Sequence, residues 1–238
     1  MKRITLAAAL VLLAAANTAL AAKIAVIGTG NVGSALGPEF AALGHTIVYG
    51  SRTPNEKDVQ DLVAKTGHGA TATTQPEAVQ GADMVLLAVP GNLAVQITQS
   101  LGDLSGKIII DPTNRVNRSS AAGYADHAVP GGSNAELIQA AAPGAKVVKA
   151  FNTLNWTKMV DPASSGGAVS IPIVGDDAAA RATVAELVKG MGLEPVDLGP
   201  LRFANTLEEM LVIWANARSH GAAYNYHLRP EPTGAPAR

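Results

Sequence analysis

The sequence predicts an α/β fold built on a doubly wound parallel sheet, and three observations predict it. Short apolar runs alternate with amphipathic helical stretches from Lys23 to Ala150. The first run, Ile24-Ala25-Val26-Ile27, leads directly into Gly28-Thr29-Gly30-Asn31-Val32-Gly33, a G-x-G-x-x-G segment that opens a helix. Another run, Asp83-Met84-Val85-Leu86-Leu87-Ala88-Val89, is apolar almost throughout, as a parallel strand covered on both faces must be. Such alternation closes through right-handed crossovers into a Rossmann-like sheet.

Taken in order, the first strand is followed by a helix over Val32 to Leu43, stopped at Gly44. His45 to Gly50 is the second strand. Asn55 to Thr66 is a surface helix with Val59, Leu62 and Val63 on one face. A short strand at Ala70 to Thr73 and a helical turn at Gln75 to Gln80 come before the apolar run, which Pro90 ends. Asn92 to Leu101 is a helix, Lys107 to Asp111 a strand, Ala135 to Ala142 a helix, and Lys146 to Ala150 the sixth strand. A Rossmann domain is expected to span 22–153. Beyond it the pattern weakens into a small C-terminal α/β region, 154–228, with strands at Val169 to Val174 and Leu193 to Leu198 and helices at Asp177 to Gly190 and Leu201 to Arg218. The Pro-rich tail, 229–238, is expected to be disordered.

The 238 residues include 18 Lys and Arg against 19 Asp and Glu, a net charge of −1, so no basic field is available for nucleic acid. The absence of cysteine excludes disulfides, Cys-ligated zinc and a thiol nucleophile. Residues 1–21 read as a signal peptide. Met1-Lys2-Arg3 is a short positive segment, Ile4 to Ala16 is apolar, and Ala19-Leu20-Ala21 places small residues where a signal peptidase cuts. The alternative is an anchor, since Ile4 to Ala22 approaches a bilayer's thickness, although Asn17 and Thr18 interrupt it. Cleavage after Ala21 leaves 16 cations against 19 anions, a net charge of −3, with no stable membrane span. The expected location is periplasmic or secreted, with the cytoplasm as the alternative. Lys2-Arg3-Ile4 has one arginine, so the signal is of the kind that passes unfolded chains rather than the twin-arginine kind. A periplasm holds little NADP, and that tension stays with the export reading.

The glycine segment and the end of the second strand together specify the nucleotide. Missing Cβ atoms let the chain turn, let the backbone approach a pyrophosphate, and let helix pack on strand. The pyrophosphate then satisfies orphan N–H groups at the helix N-terminus. An NAD enzyme would place Asp or Glu after the second strand for the ribose hydroxyls. Here stand Ser51-Arg52-Thr53, and a hydroxyl beside a planar cation suits the 2′-phosphate of NADP(H).

Ile24 to Arg52, Ala88-Val89-Pro90, Val147 to Thr153 (including Phe151-Asn152-Thr153), Val174-Gly175-Asp176-Asp177 and Val196 to Leu201 resemble the NADPH-dependent reductases of the deazaflavin coenzyme factor-420. The same module is similar to the cytoplasmic reductase domain of certain transmembrane metalloreductases. The resemblance covers about Lys23 to Met210. It implies that Thr29, Gly30, Asn31 and Val32 hold the pyrophosphate through backbone N–H groups, with Gly28 and Gly33 shaping the turn. It also implies that Ser51 and Arg52 hold the 2′-phosphate and that Val89 and Pro90 meet the cofactor at the switch point. Phe151, Asn152 and Thr153 would border the nicotinamide, Asn152 as a cofactor contact as well, and Trp156 follows closely enough to touch a flat substrate. Some deazaflavin reductases carry a His at the Phe-Asn-Thr position, and the cytoplasmic members have no signal segment.

No catalytic acid or base is assigned. Hydride transfer to a deazaflavin or flavin co-substrate needs stacking and alignment more than a placed proton donor, whereas an imine or carbonyl acceptor needs one. His45 lies at the wrong end of a strand, and His68, His127, His220 and His227 read as surface or packing residues. Asp111 ends a strand at the correct edge, as a loop cap or a catalytic group. Asp176-Asp177 reads as a helix cap, and no metal site is expected. The expected partner is a small-molecule hydride acceptor, and a homodimer is allowed. The alternatives are a non-catalytic NADP-binding module of an exported complex and an NADPH-dependent imine or carbonyl reductase.

Overall fold

The computed structural model describes residues 21–117, 124–166, 169–222 and 228. The signal-peptide reading of residues 1–21 therefore falls, apart from Ala21, outside the described residues, as does the tail over 229–238. The chain begins with β1 (Lys23–Ile27), α1 (Asn31–Ala42), β2 (Thr46–Ser51), α2 (Lys57–Thr66), β3 (Thr71–Thr74) and α3 (Gln75–Ala78). It continues with β4 (Met84–Leu87), α4 (Ala94–Ser100), β5 (Ile108–Asp111), the small hairpin β6 (Val116–Asn117) and β7 (Asp126–His127), α5 (Asn134–Ala141) and β8 (Lys146–Lys149). Then come α6 (Trp156–Val160), β9 (Ser170–Gly175), α7 (Ala178–Gly190), β10 (Glu194–Asp197) and α8 (Ala204–Ser219).

Eight of these strands form one sheet in the order β10-β9-β8-β5-β4-β1-β2-β3. β1 lies at the topological switch point, with Ile24 in register with Ile47 on one side and Met84 on the other. Side-chain alternation along β1 feeds two cores. Ile24 and Val26 pack with Leu36 and Phe40 of α1 and Val184 and Leu187 of α7, while Ala25 and Ile27 pack with Ala94 of α4, Ile138 of α5 and Leu207 of α8. Burial of both faces explains the apolar run through β4, whose four residues are all buried.

The doubly wound fold read from the sequence is thus present, with two refinements. The sheet is mostly rather than wholly parallel, because β9 runs antiparallel to β8. The C-terminal strands β9 and β10 extend this same sheet at its β8 edge. Chain punctuation follows local chemistry. α1 stops where Gly44 takes φ +92°, a left-handed conformation that glycine adopts without Cβ strain. Asp177 caps α7 by accepting the Ala180 N–H at 2.8 Å. Ser51 belongs to β2 rather than to the following loop, and a 3₁₀ turn at Gly91–Leu93 precedes α4. The hairpin and α6 carry no periodic signal, being two and five residues long. No helix among the described residues is long and apolar enough to cross a membrane.

Candidate active site

A cleft of about 530 Å³ opens at the carboxyl ends of β1, β2 and β4. That edge is where open α/β sheets bind ligands. Gly28, Thr29 and Gly30 line it from the β1–α1 turn, Ser51 and Arg52 from the end of β2, and Val89 and Pro90 from the loop after β4. The three glycines act differently. At Gly28 (φ +103°) an added Cβ would lie 2.3 Å from the Ala88 carbonyl oxygen, so its absence lets the two loops touch. At Gly33 a Cβ would lie 2.0 Å from the Gly28 oxygen, so its absence lets α1 pack against its own turn. At Gly30 a Cβ would meet nothing within 4 Å. Gly30 is the exposed N-cap of α1 and faces the cleft.

α1 has no side-chain cap at its N-terminus and no acidic residue in its first turn. Its orphan N–H groups and positive dipole end are therefore open to an anion. Asn31 and Val32 form that turn behind the lining residues, and Gly33 is buried. Ser51, 7% exposed, accepts the Thr53 N–H at 3.1 Å, which fixes the turn and leaves its own hydroxyl proton to donate. The exposed Arg52 makes no ion pair or hydrogen bond among the described residues. The cradle, the open helix end and the unpaired guanidinium fit a dinucleotide with a 2′-phosphate. Sequence reasoning missed Glu56, Asp58, Gln75, Leu93, Gln96 and Ile97, which line it from the start of α2, α3 and the α4 region; nothing in their spacing marks them.

The residues expected beside the nicotinamide follow β8, at the carboxyl edge of the sheet. Phe151, Asn152, Thr153 and Trp156 do not line the cleft. Phe151 is 1% exposed, packs edge-on against Phe40 with ring centroids 6.2 Å apart, and holds φ +63°, a strained value for a non-glycine residue. The Asn152 side chain turns inward and donates to Asn114 Oδ1 at 3.0 Å and to the Leu207 carbonyl at 2.9 Å. Thr153 is half-buried, and Trp156, 37% exposed, opens α6.

Asp111 does cap its loop, accepting the Thr113 N–H at 2.8 Å, but it does more. Its other oxygen meets the Lys149 ammonium at 2.8 Å, and Lys149 also pairs with Glu208 at 2.8 Å, all three side chains being wholly buried. Burial alone would push the Lys149 pKa down, but the Asp111 and Glu208 carboxylates outweigh it and hold the ammonium above its ordinary range. His127, read from the sequence as a surface or packing residue, is buried with Nε2 at 2.8 Å from Glu208. Lys149 was the signal to read: a cation inside an apolar strand requires a buried counter-charge.

These features define an NADP-linked oxidoreductase on a Rossmann-like sheet, and comparison with known proteins agrees. Residues 23–115 match the family described as NADP oxidoreductase coenzyme F420-dependent. A crystal structure from Arthrobacter sp. FB24, assigned to the F420-dependent NADP-reductases, superposes with a TM-score of 0.78 at 32% identity, covering 88% of this chain and 100% of that one. The F420-dependent NADP reductase of Methanothermobacter thermautotrophicus is 27% identical over 220 residues, 87% of this chain and 94% of that protein. Rat metalloreductase STEAP3 is 30% identical over 189 residues, 79% of this chain. The chain spans about a third (36%) of that metalloreductase's length. The protein belongs to the NADP oxidoreductase coenzyme F420-dependent family.

Proposed function

We propose that the protein uses NADPH to reduce a flat deazaflavin or flavin-like acceptor, and that it does so outside the cytoplasm after removal of residues 1–21. The observation that carries the choice of acceptor is the state of the ionisable groups at the carboxyl edge of β5 and β8. Asp111, Lys149, Glu208 and His127 are bound to one another and buried. An imine or carbonyl acceptor needs a proton donor beside the new amine or alkoxide, whereas a reduced deazaflavin ring takes its proton from water. The names of the Methanothermobacter and Arthrobacter relatives support the same acceptor class.

When bound, NADPH supplies a hydride from its nicotinamide ring. The chain's own part is positioning. The N–H groups of α1 hold the pyrophosphate, Ser51 and Arg52 hold the 2′-phosphate, and Val89 and Pro90 bound the cleft where the dinucleotide crosses the switch point. The test is NADPH oxidation by purified protein with a panel of acceptors: a deazaflavin, FMN, a ferric chelate and a cyclic imine. Turnover with the deazaflavin or FMN is expected. Turnover confined to the imine, or tight NADPH binding without turnover on any acceptor, refutes the proposal.

A further inference from the structure

The buried ionic network lies beside the cleft rather than in it, and its connections run toward the cleft. Glu208, from α8, is the hub. Its carboxylate pairs with the Lys149 ammonium at 2.8 Å and His127 Nε2 at 2.8 Å, and accepts the Asn134 main-chain N–H at 2.9 and 3.0 Å. Lys149 reaches on to Asp111 and to the Thr113 carbonyl at 2.7 Å. Asn134 extends its side chain the other way, donating to the Gly91 carbonyl at 3.1 Å and to Thr113 Oγ1 at 2.6 Å. Gly91 follows Pro90 and lies against Asn114 so closely that a Cβ would fall 2.0 Å from the Asn114 oxygen. Asn114 in turn donates to the Asn152 carbonyl at 2.9 Å, and Asn152 donates to Leu207, the residue before Glu208.

The circuit joins the loops after β4, β5 and β8 to one another and to a single turn of α8. Those loops leave adjacent strands at the edge where the non-adenosine half of a dinucleotide continues past the switch point. The adenosine end, built from Gly28, Gly30, Ser51 and Arg52, shares no residue with the circuit. We propose that Glu208 is a positioning residue for the nicotinamide end of the cleft: through Lys149 and Asn134 it fixes the Pro90–Gly91, Asn114 and Asn152 loops at one height. This inference rests on the NADP reading above. A network that served only stability would lower the unfolding temperature and leave the relative affinity for the two halves of the cofactor unchanged.

Two ligands separate the halves. Adenosine 2′,5′-bisphosphate carries the adenosine, the 2′-phosphate and one 5′-phosphate, whereas NADP⁺ adds the nicotinamide side. Titration calorimetry on the full chain is run with both, for the wild type, Glu208→Gln and Asn134→Ala. The expected result is bisphosphate affinity unchanged within about twofold and NADP⁺ affinity about tenfold weaker in both variants, the size of one lost hydrogen-bonded contact. Asn134→Ala leaves the buried charges paired and its own N–H bonded to Glu208, so it gives the answer if Glu208→Gln does not fold. Equal weakening of the two ligands, or no change in either, overturns the proposal while leaving the NADP site intact. A wild type that binds neither ligand overturns the NADP reading and this inference with it.

Discussion

Arg52→Ala separates a phosphate-reading arginine from a merely exposed one. Arg52 has no partner among the described residues, so removing it breaks no contact of the fold, and the unfolding temperature should stay within experimental error. Bound to a 2′-phosphate, the guanidinium makes a charge-assisted hydrogen bond worth about 1.5–3 kcal/mol, a loss of roughly ten- to more than a hundredfold in NADPH affinity. The surroundings push toward the upper end. Glu56 and Asp58 line the same cleft, and without Arg52 the dianion would face these carboxylates with no cation in the cleft lining to offset them. NADH carries no 2′-phosphate and should bind the variant as it binds the wild type. Fluorescence titration with both reduced cofactors measures the two losses directly. Equal losses for NADPH and NADH, or none for either, would refute the assignment of Arg52 to the 2′-phosphate.

Four further outcomes can be checked. Gly30→Val should fold normally and lose both nucleotides, because the space in front of Gly30 is empty of protein, whereas Gly33→Ala should destabilise the fold by about 1–3 kcal/mol because its Cβ would meet the Gly28 carbonyl oxygen; thermal melts and titrations read both. His45 accepts the Ala22 N–H at Nδ1 (3.1 Å), and burial pushes its pKa below the ordinary value, so the unfolded chain binds more protons beneath about pH 6.5. The His45 contribution is present above that pH and lost as pH falls, and His45→Gln should flatten part of the stability loss below about pH 6.5 in denaturant melts; identical curves would refute it. Intact mass of protein from the native host should give an N-terminus at Ala22, and a mass that includes Met1 would refute cleavage and make residues 1–21 an anchor or a cytosolic extension.

That Gly28, Thr29, Gly30, Ser51 and Arg52 share one cleft was legible because each group is local. The Gly28–Gly33 turn and the Ser51-Arg52 pair each sit within a few residues of a strand end, and a strand–turn–helix pattern is enough to place them. The other end is assembled from residues far apart: Lys149 finds Asp111 38 positions away, and Glu208 finds His127 81 positions away. No spacing rule reaches that far. Asp111 was weighed as a loop cap because a strand-end Asp before Pro has that role locally, and the structure keeps the cap while adding Lys149 on the second oxygen. Phe151 and Asn152 are placed beside the nicotinamide by the resemblance and by their position just past the sixth predicted strand. Their sequence gives no hint of the left-handed backbone at Phe151 that accompanies the burial of one side chain against Phe40 and the turning of the next toward Leu207.

The division has a physical origin. A dinucleotide's phosphates need only N–H groups and a cation at a strand end, so that half of the site is encoded by short motifs on consecutive elements. On the proposed reading, the other half holds a planar ring at a fixed height without offering it a proton, and tertiary contacts would meet that requirement. Burying Lys149 between two carboxylates costs desolvation, but removing Lys149 would leave the Asp111 and Glu208 carboxylates in the core without the cation they share, which is the costlier state. The groups that could have served as acid or base are paired with one another, and on the proposed reading they support the loops. A site arranged in this way favours an acceptor that needs alignment alone, and this is why the acceptor proposal and the role given to Glu208 depend on the same buried ions.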